Sequence, residues 1–155
     1  MPSEQTVQQA IYHSLLTEKD AMDFYNAAAE YVQNPDAKQM LELLAQEERE
    51  HAEWFHRICN EIDLDEFLQL IESGPAPDSV WLAKLREISD QNSGELEILQ
   101  LALRQEKALE KELMAIAESA ENPDVRQIYQ ANIESTRHHF ELIAEEHNRL
   151  KELLD

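Results

Sequence analysis

The chain is poor in residues that make turns and cross-links. Its 155 residues include two glycines, five prolines and one cysteine. With no Asn-Gly or Asp-Gly pair and no sustained alternation of apolar and polar residues, a sheet is excluded as the framework. The single Cys59 rules out an internal disulfide and any metal centre built from thiolates alone; it is expected to be a partly buried packing residue. Basic residues are also scarce: 13 Lys and Arg stand against 33 Asp and Glu, a formal charge of -20 at pH 7. Such a surface repels phosphate, which argues against nucleic acid and anionic membrane faces as partners. No apolar run approaches the roughly 18 residues a membrane span needs, and the N-terminus lacks the basic and apolar run of a signal peptide, so a cytoplasmic location is expected.

What is abundant is Ala, Leu, Glu and Gln, the strong helix formers. Between Leu41 and Ile62 the apolar positions are Leu41, Leu44, Phe55, Ile58 and Ile62, the three-four alternation of a helix with one buried stripe. Carried through the gap, the alternation lands on Glu48 and His51, within Glu48-Arg49-Glu50-His51. An unpaired carboxylate in a core costs several kcal/mol, so such a group is normally protonated, paired or bound to a metal. The i,i+3 spacing sets both side chains on one face, one turn apart, where they can share a cation.

Three other stretches carry the same irregularity. Val7, Ile11, Leu15, Met22, Tyr25, Ala29 and Val32 form a stripe whose missing beat is Glu18. Leu99, Ala102, Leu109, Leu113, Ile116 and Ala120 form another, broken by Glu106. In the last stretch, Val125, Tyr129, Asn132, Thr136, His139, Ile143 and Leu150 place His139 inward. Three carboxylates and two imidazoles therefore stand where leucine is expected. For Glu48 and His51 alone, a hydrogen-bonded pair in the core would suffice; convergence from four helices favours a metal. For His139 a plain hydrogen bond beside Thr136 is an equal alternative.

The boundaries follow from capping signals. Ser3 can cap a first helix running to about Gln33. Asn34-Pro35-Asp36 breaks it and starts a second, to about Ile62, leaving room only for an antiparallel hairpin. Residues 63 to 92 form a crossover with short helices, one over Leu64 to Ile71 and another capped by Asp78 or Ser79 and running through Ile88. Asn92, Ser93 and Gly94 open a third long helix to about Glu121, and Asn122-Pro123-Asp124 starts a fourth. The expected fold is all-α, an antiparallel four-helix bundle in one domain over residues 1–155. Hairpin one covers about 3–62, the crossover about 63–92 and hairpin two about 93–153.

Shifting the chain against itself by 88 positions lays Glu18 on Glu106, Lys19 on Lys107, Asn34-Pro35-Asp36 on Asn122-Pro123-Asp124, Arg49 on Arg137 and His51 on His139. Two copies of one hairpin would face Glu18, Glu48 and His51 against Glu106 and His139 across a pseudo-twofold axis. One ligand position breaks the symmetry: Glu48 falls on Thr136.

These residues resemble the rubrerythrin branch of the ferritin-like superfamily. The resemblance rests on Glu18 with Phe24-Tyr25 and Ala27-Ala28-Ala29, on Asn34-Pro35, and on Leu44-Ala45-Gln46-Glu47-Glu48-Arg49-Glu50-His51, echoed in the second half. It implies a bundle holding two irons, with Glu18 and Glu106 as terminal ligands, Glu48 as a bridging carboxylate, and His51 and His139 as nitrogen ligands. It further implies an oxidase or ferroxidase-like reaction of Fe(II) with oxygen or peroxide, with no catalytic group apart from the ligands, a separate electron donor, and a homodimer.

Three departures temper that implication. Thr136 replaces a second bridging carboxylate, Leu109 stands where typical members carry a further ligand Glu, and there is no cysteine-rich electron-transfer module. A mononuclear or empty site in a structural bundle is the alternative, and zinc or manganese can replace iron on such ligands. Glu110 and Glu134 lie off the inward stripe and are not expected to substitute. Tyr25, Phe24, Trp54 and Phe55 are read as core packing, His138 and His147 as solvent-facing. Glu47 and Glu50 are assigned to a solvated face.

Overall fold

A computed structural model describes residues 3–90 and 94–154. Six helices account for nearly all of it: α1 (Glu4–Tyr31), α2 (Pro35–Arg57), α3 (Leu64–Glu72), α4 (Val80–Asp90), α5 (Glu95–Ser119) and α6 (Pro123–Leu154), with no strand among the described residues. The all-helical bundle expected from composition is what the chain forms.

The capping residues act as the sequence implies. The Ser3 hydroxyl accepts from the Thr6 N–H at 3.2 Å. Asn34 Oδ1 accepts from the Asp36 and Ala37 N–H groups at 3.0 and 3.1 Å, and Asn122 Oδ1 repeats the device on Asp124 and Val125 at 2.8 and 3.4 Å. Each satisfies donors that a helix start leaves without partners. Ser79 rather than Asp78 caps α4, through the Leu82 N–H at 3.3 Å. At α5 the cap residue is Gly94, which offers no side chain; the expected contributors Asn92 and Ser93 lie outside the described residues.

Helix α2 is shorter than its apolar stripe. It ends at Arg57, not near Ile62. The Gln8 side chain clasps the chain just beyond, donating from Nε2 to the Ile58 carbonyl at 3.2 Å and accepting on Oε1 from the Asn60 N–H at 2.8 Å. Asp63 and Glu66 then form a reciprocal capping box for α3. Ile58 and Ile62 still pack against the core, so the stripe reported burial and not helix. The ends of α1 and α5 fall two residues before the expected Gln33 and Glu121, within ordinary end fraying.

Helices α1 and α2 form one antiparallel hairpin and α5 and α6 the other; α1 packs on α5 and α2 on α6 to close the bundle. Helix α4 lies across α1 and α5, and α3 covers α2 by packing Phe67 and Ile71 against Ala52. The apolar core is divided in two. One part contains Tyr25, Leu41, Leu44, Leu99, Leu101 and Ile143; the other contains Ile11, Leu15, Phe55, Leu113 and Tyr129. Glu18, Glu48, His51, Glu106, Thr136 and His139, all buried, make a polar layer of the interior.

Candidate metal centre

Four helices bring the five sequence-selected residues to one place. Glu18 comes from α1, Glu48 and His51 from α2, Glu106 from α5 and His139 from α6. Glu18, Glu48, Glu106 and His139 are 0% exposed and His51 2%. His51 Nδ1 lies 3.6 Å from Glu18 Oε2 and 3.8 Å from Glu48 Oε1. His139 Nδ1 lies 2.9 Å from Glu48 Oε1 and 3.7 Å from Glu106 Oε1. Two groups result, Glu18-Glu48-His51 and Glu48-Glu106-His139, each with ligand atoms within 4.8 Å of one another. Glu48 belongs to both.

Proximity here is not hydrogen bonding. Both oxygens of Glu18, both of Glu48, Oε2 of Glu106 and the Nδ1 atoms of His51 and His139 have no hydrogen-bond partner. Even the 2.9 Å approach of His139 Nδ1 to Glu48 Oε1 leaves both atoms without one. Leaving so many buried polar atoms unmatched would cost several kcal/mol in a finished core. Ligand atoms that converge in a closed layer with so few partners are the arrangement a cation completes, and the residues fit one.

The electrostatics agree. Burial pushes the Glu48 carboxyl well above the usual carboxylate range, and the nearby Glu18 and Glu106 push it further. For Glu18 burial acts upward too, but the closeness of Glu48 and His51 outweighs it and its pKa is lowered. Burial alone would lower the His139 pKa; Glu106 and Glu48 overcome it and hold the ring as an imidazolium up to about 11. The metal-free site thus keeps protons on Glu48 and His139 where cations would otherwise sit.

A second layer aims the imidazoles. His139 Nε2 bonds to Glu47 Oε2 at 2.9 Å, and His51 Nε2 bonds to the Ser135 hydroxyl at 2.8 Å. With Nε2 occupied outward, Nδ1 is the inward atom on both rings, and the partner fixes tautomer and orientation. Glu47 is therefore a correction to the sequence reading: it is half-buried and tied to the site, not part of a solvated face. The signal was available, because the 88-residue shift lays Glu47 on Ser135, and each serves the histidine of the opposite hairpin.

Tyr25, read as core, is fully buried but does more: its hydroxyl donates to Glu106 Oε1. Burial first, then the Glu106 and Glu48 charges, push its pKa well above 10.0, so it remains a donor. Trp54, read as packing, places its ring 5.0 Å from that of His51.

The departures hold. Thr136 is buried, and its hydroxyl donates to the Asn132 carbonyl of its own helix at 2.8 Å. Glu110 is held outside by Arg137 at 3.0 Å, and Glu134 is exposed. His138 is exposed as expected, but His147 is only half-exposed and pairs with Gln100 at 3.3 Å. That contact is a turn and more from the centre and is a local bond between α5 and α6.

The family model described as Rubrerythrin matches residues 10–144. The chain belongs to the rubrerythrin family. Comparison with curated proteins and with solved structures finds no match. Membership accords with the ferritin-like helical bundle and with carboxylate and histidine groups able to hold metal, in a family that typically binds iron. No helix among the described residues is long and apolar enough to cross a membrane.

Proposed function

We propose that this rubrerythrin-family chain is a non-haem diiron protein that reacts Fe(II) with oxygen or peroxide in an oxidase or ferroxidase-like way. The observation that carries the reading is Glu48: fully buried, shared by two three-residue groups, with both oxygens lacking a partner. Glu48 would bridge, Glu18 and Glu106 would be terminal ligands, and His51 and His139 would each supply Nδ1. Bound iron would supply the electron transfer to the oxidant. The chain's own contribution is threefold. Apolar packing on either side of the polar layer excludes bulk water, Glu47 and Ser135 fix the imidazoles, and the Tyr25 hydroxyl holds Glu106 in place. Electrons come from iron itself or from a separate donor protein, and by resemblance the chain acts as one domain, in a homodimer, in the cytoplasm.

One observation favours a second reading, a bundle with a mononuclear or empty site. Helix α6 contributes His139 but no carboxylate, since Thr136 is turned to Asn132. Three carboxylates face the four positive charges of two Fe(II) ions, so a solvent-derived or exogenous anion must complete the balance. Elemental analysis after anaerobic and aerobic loading with Fe(II) separates the two. Two irons per chain, with an oxo-bridge absorption after air, supports the diiron reading. One metal or none in the parent, rising to two in Thr136→Glu, overturns it in favour of the second.

A further inference from the structure

The seam between α1 and α5, where α4 crosses them, contains a small cavity of about 40 Å³ lined by Thr17, Asp20, Trp81, Gln105, Leu109 and Glu112, among others. Gln105 is 4% exposed, and neither its amide oxygen nor its amide nitrogen has a hydrogen-bond partner. Asp20 Oδ1 is likewise buried and unmatched. A water needs roughly 10–15 Å³ of such space, so the cavity has room for a few waters or a partly hydrated ion.

We propose that this cavity is a second cation site, taking a divalent ion of the hard, oxygen-seeking class and staging it outside the Glu18 and Glu106 ligands. The donors are all oxygen: the Asp20 carboxylate, the Gln105 amide, the Thr17 hydroxyl and the Glu112 carboxylate, whose Oε1 is shared with His13 Nε2 at 2.7 Å. Such a set suits Mg²⁺, Ca²⁺, Mn²⁺ or hydrated Fe²⁺ over ions that seek nitrogen or sulfur. Thr17 donates its hydrogen to the His13 carbonyl at 3.0 Å, which leaves oxygen lone pairs free.

Position gives the site its role. Thr17 precedes Glu18 and Gln105 precedes Glu106, and successive helix residues are turned by about 100°. The same two helices therefore present Glu18 and Glu106 to the interior and Thr17 and Gln105 to the seam. Thr17 and Gln105 are also equivalent under the 88-residue shift, so the cavity sits on the pseudo-twofold axis. A larger cavity of about 680 Å³ shares Thr17, Asp20, Trp81 and Glu112 with it and adds Asp78 together with Asp23 and its partner Lys19, an approach with more acidic than basic groups, which favours cations. The nearby lysines are each held by a partner of their own. Lys19 is bound to Asp23 and to the Ser73 carbonyl at 3.2 Å, and Lys84 stands over the Trp81 ring.

Terbium(III), a luminescent oxygen-seeking ion sensitised by tryptophan, tests the site in the full chain. The two tryptophans report on different places, since Trp54 lies against His51 whereas Trp81 lines the cavity. In Trp54→Phe, saturable Trp81-sensitised emission is expected. Adding Asp20→Asn or Gln105→Leu should weaken terbium binding by about tenfold or more, while adding Glu48→Gln leaves it intact. Emission unaffected by both cavity substitutions, or abolished by Glu48→Gln, would overturn the site. The staging role rests on the metal centre proposed above and has its own readout. Stopped-flow Fe(II) uptake by Asp20→Asn should slow while the final iron content is unchanged; equal rates refute staging. A parent that binds no iron yet keeps the Trp81 emission would sink the proposed function and leave the cavity site standing.

Discussion

Hairpin one and hairpin two share an 88-residue register and differ in charge. The first supplies Glu18, Glu48 and His51; the second supplies Glu106 and His139, with Thr136 in the place of Glu48. The difference extends outward. Glu47 holds the histidine of hairpin two, and its equivalent, Ser135, holds the histidine of hairpin one with a neutral hydroxyl. Tyr25 donates to Glu106, whereas its equivalent, Leu113, cannot donate to Glu18. Even Lys19 and Lys107 diverge: Lys19 is buried and anchors α1 to the turn after α3, while Lys107 is exposed over Phe140. The repeat fixes where ligand atoms converge, and the substitutions decide how much negative charge converges with them.

The sharpest way to break the comparison is to remove the residue both halves share. Glu48→Ala takes a carboxylate from both three-residue groups at once, leaving each with one Glu and one His. Iron or zinc binding to either half should fall below detection by elemental analysis, with the helical fold kept. In metal-free form the variant loses a buried group that had to hold a proton, so its thermal stability should change little. Metal retained in Glu48→Ala would mean that the two halves bind independently of the bridge.

Thr136→Glu restores the symmetry and acts next most strongly. It adds a fourth carboxylate to a closed layer, which costs the metal-free protein about 2–4 kcal/mol. Loaded with Fe(II), the same variant should bind two ions per chain and regain that loss, because a ligand of the native state alone stabilises it by mass action. Thermal unfolding with and without metal reads both effects. A metal-free variant as stable as the parent would show that the new side chain points away from the centre.

Acidity separates the two halves more gently. His139 is held as an imidazolium up to about 11, against 6.5 for a free histidine, and Glu48 keeps its proton well above 4.5. The native state binds more protons than the unfolded chain at both groups, so their stabilisation of the metal-free protein is full at low pH. It falls as pH rises, from 4.5 upward for Glu48 and from 6.5 toward 11 for His139. Glu18, with its lowered pKa, runs the other way and its contribution is lost on acidification. Metal must expel the protons on Glu48 and His139, so affinity should rise with pH while metal-free stability falls. Unfolding curves over pH, with and without Zn(II), check the opposed slopes; parallel slopes would mean that metal binding displaces no proton.

Much of the fold was legible because helices write burial into a period. Five polar residues on apolar stripes were enough to find the side chains that converge in the buried polar layer, and two Asn-Pro-Asp breaks were enough to place the hairpins. The end of α2 was not legible, since Ile58 and Ile62 keep the period while Gln8, fifty residues upstream, captures the backbone. Glu47 and Ser135 were missed for a related reason. Both are one position off the stripe, and only the helix across the bundle gives such a position an inward partner.

Those outer partners give the next smaller effect. Glu47→Gln keeps a hydrogen bond to His139 but removes the charge that makes the imidazole a stronger ligand, and should weaken metal binding by about tenfold, roughly 1.4 kcal/mol. Ser135→Asp, which gives His51 the charged partner that His139 already has, should strengthen it by a similar factor. Isothermal titration with Zn(II) measures both, and equal affinities in all three proteins would show that the outer partners do not tune the centre.

The smallest change expected makes the two terminal carboxylates alike. Tyr25→Phe leaves Glu106 without its donor, as Glu18 already is, at a cost near 1–2 kcal/mol for one buried hydrogen bond. In the metal-free protein that cost is felt in full, because nothing else in the layer donates to Glu106 Oε1. Once a cation occupies the centre, the freed oxygen has a ligand and the loss should shrink. The gap between metal-free and metal-loaded melting temperatures should therefore widen in Tyr25→Phe. An equal drop in both states would mean that the tyrosine keeps its hold on Glu106 with metal bound, and that the two halves coordinate unequally even when full.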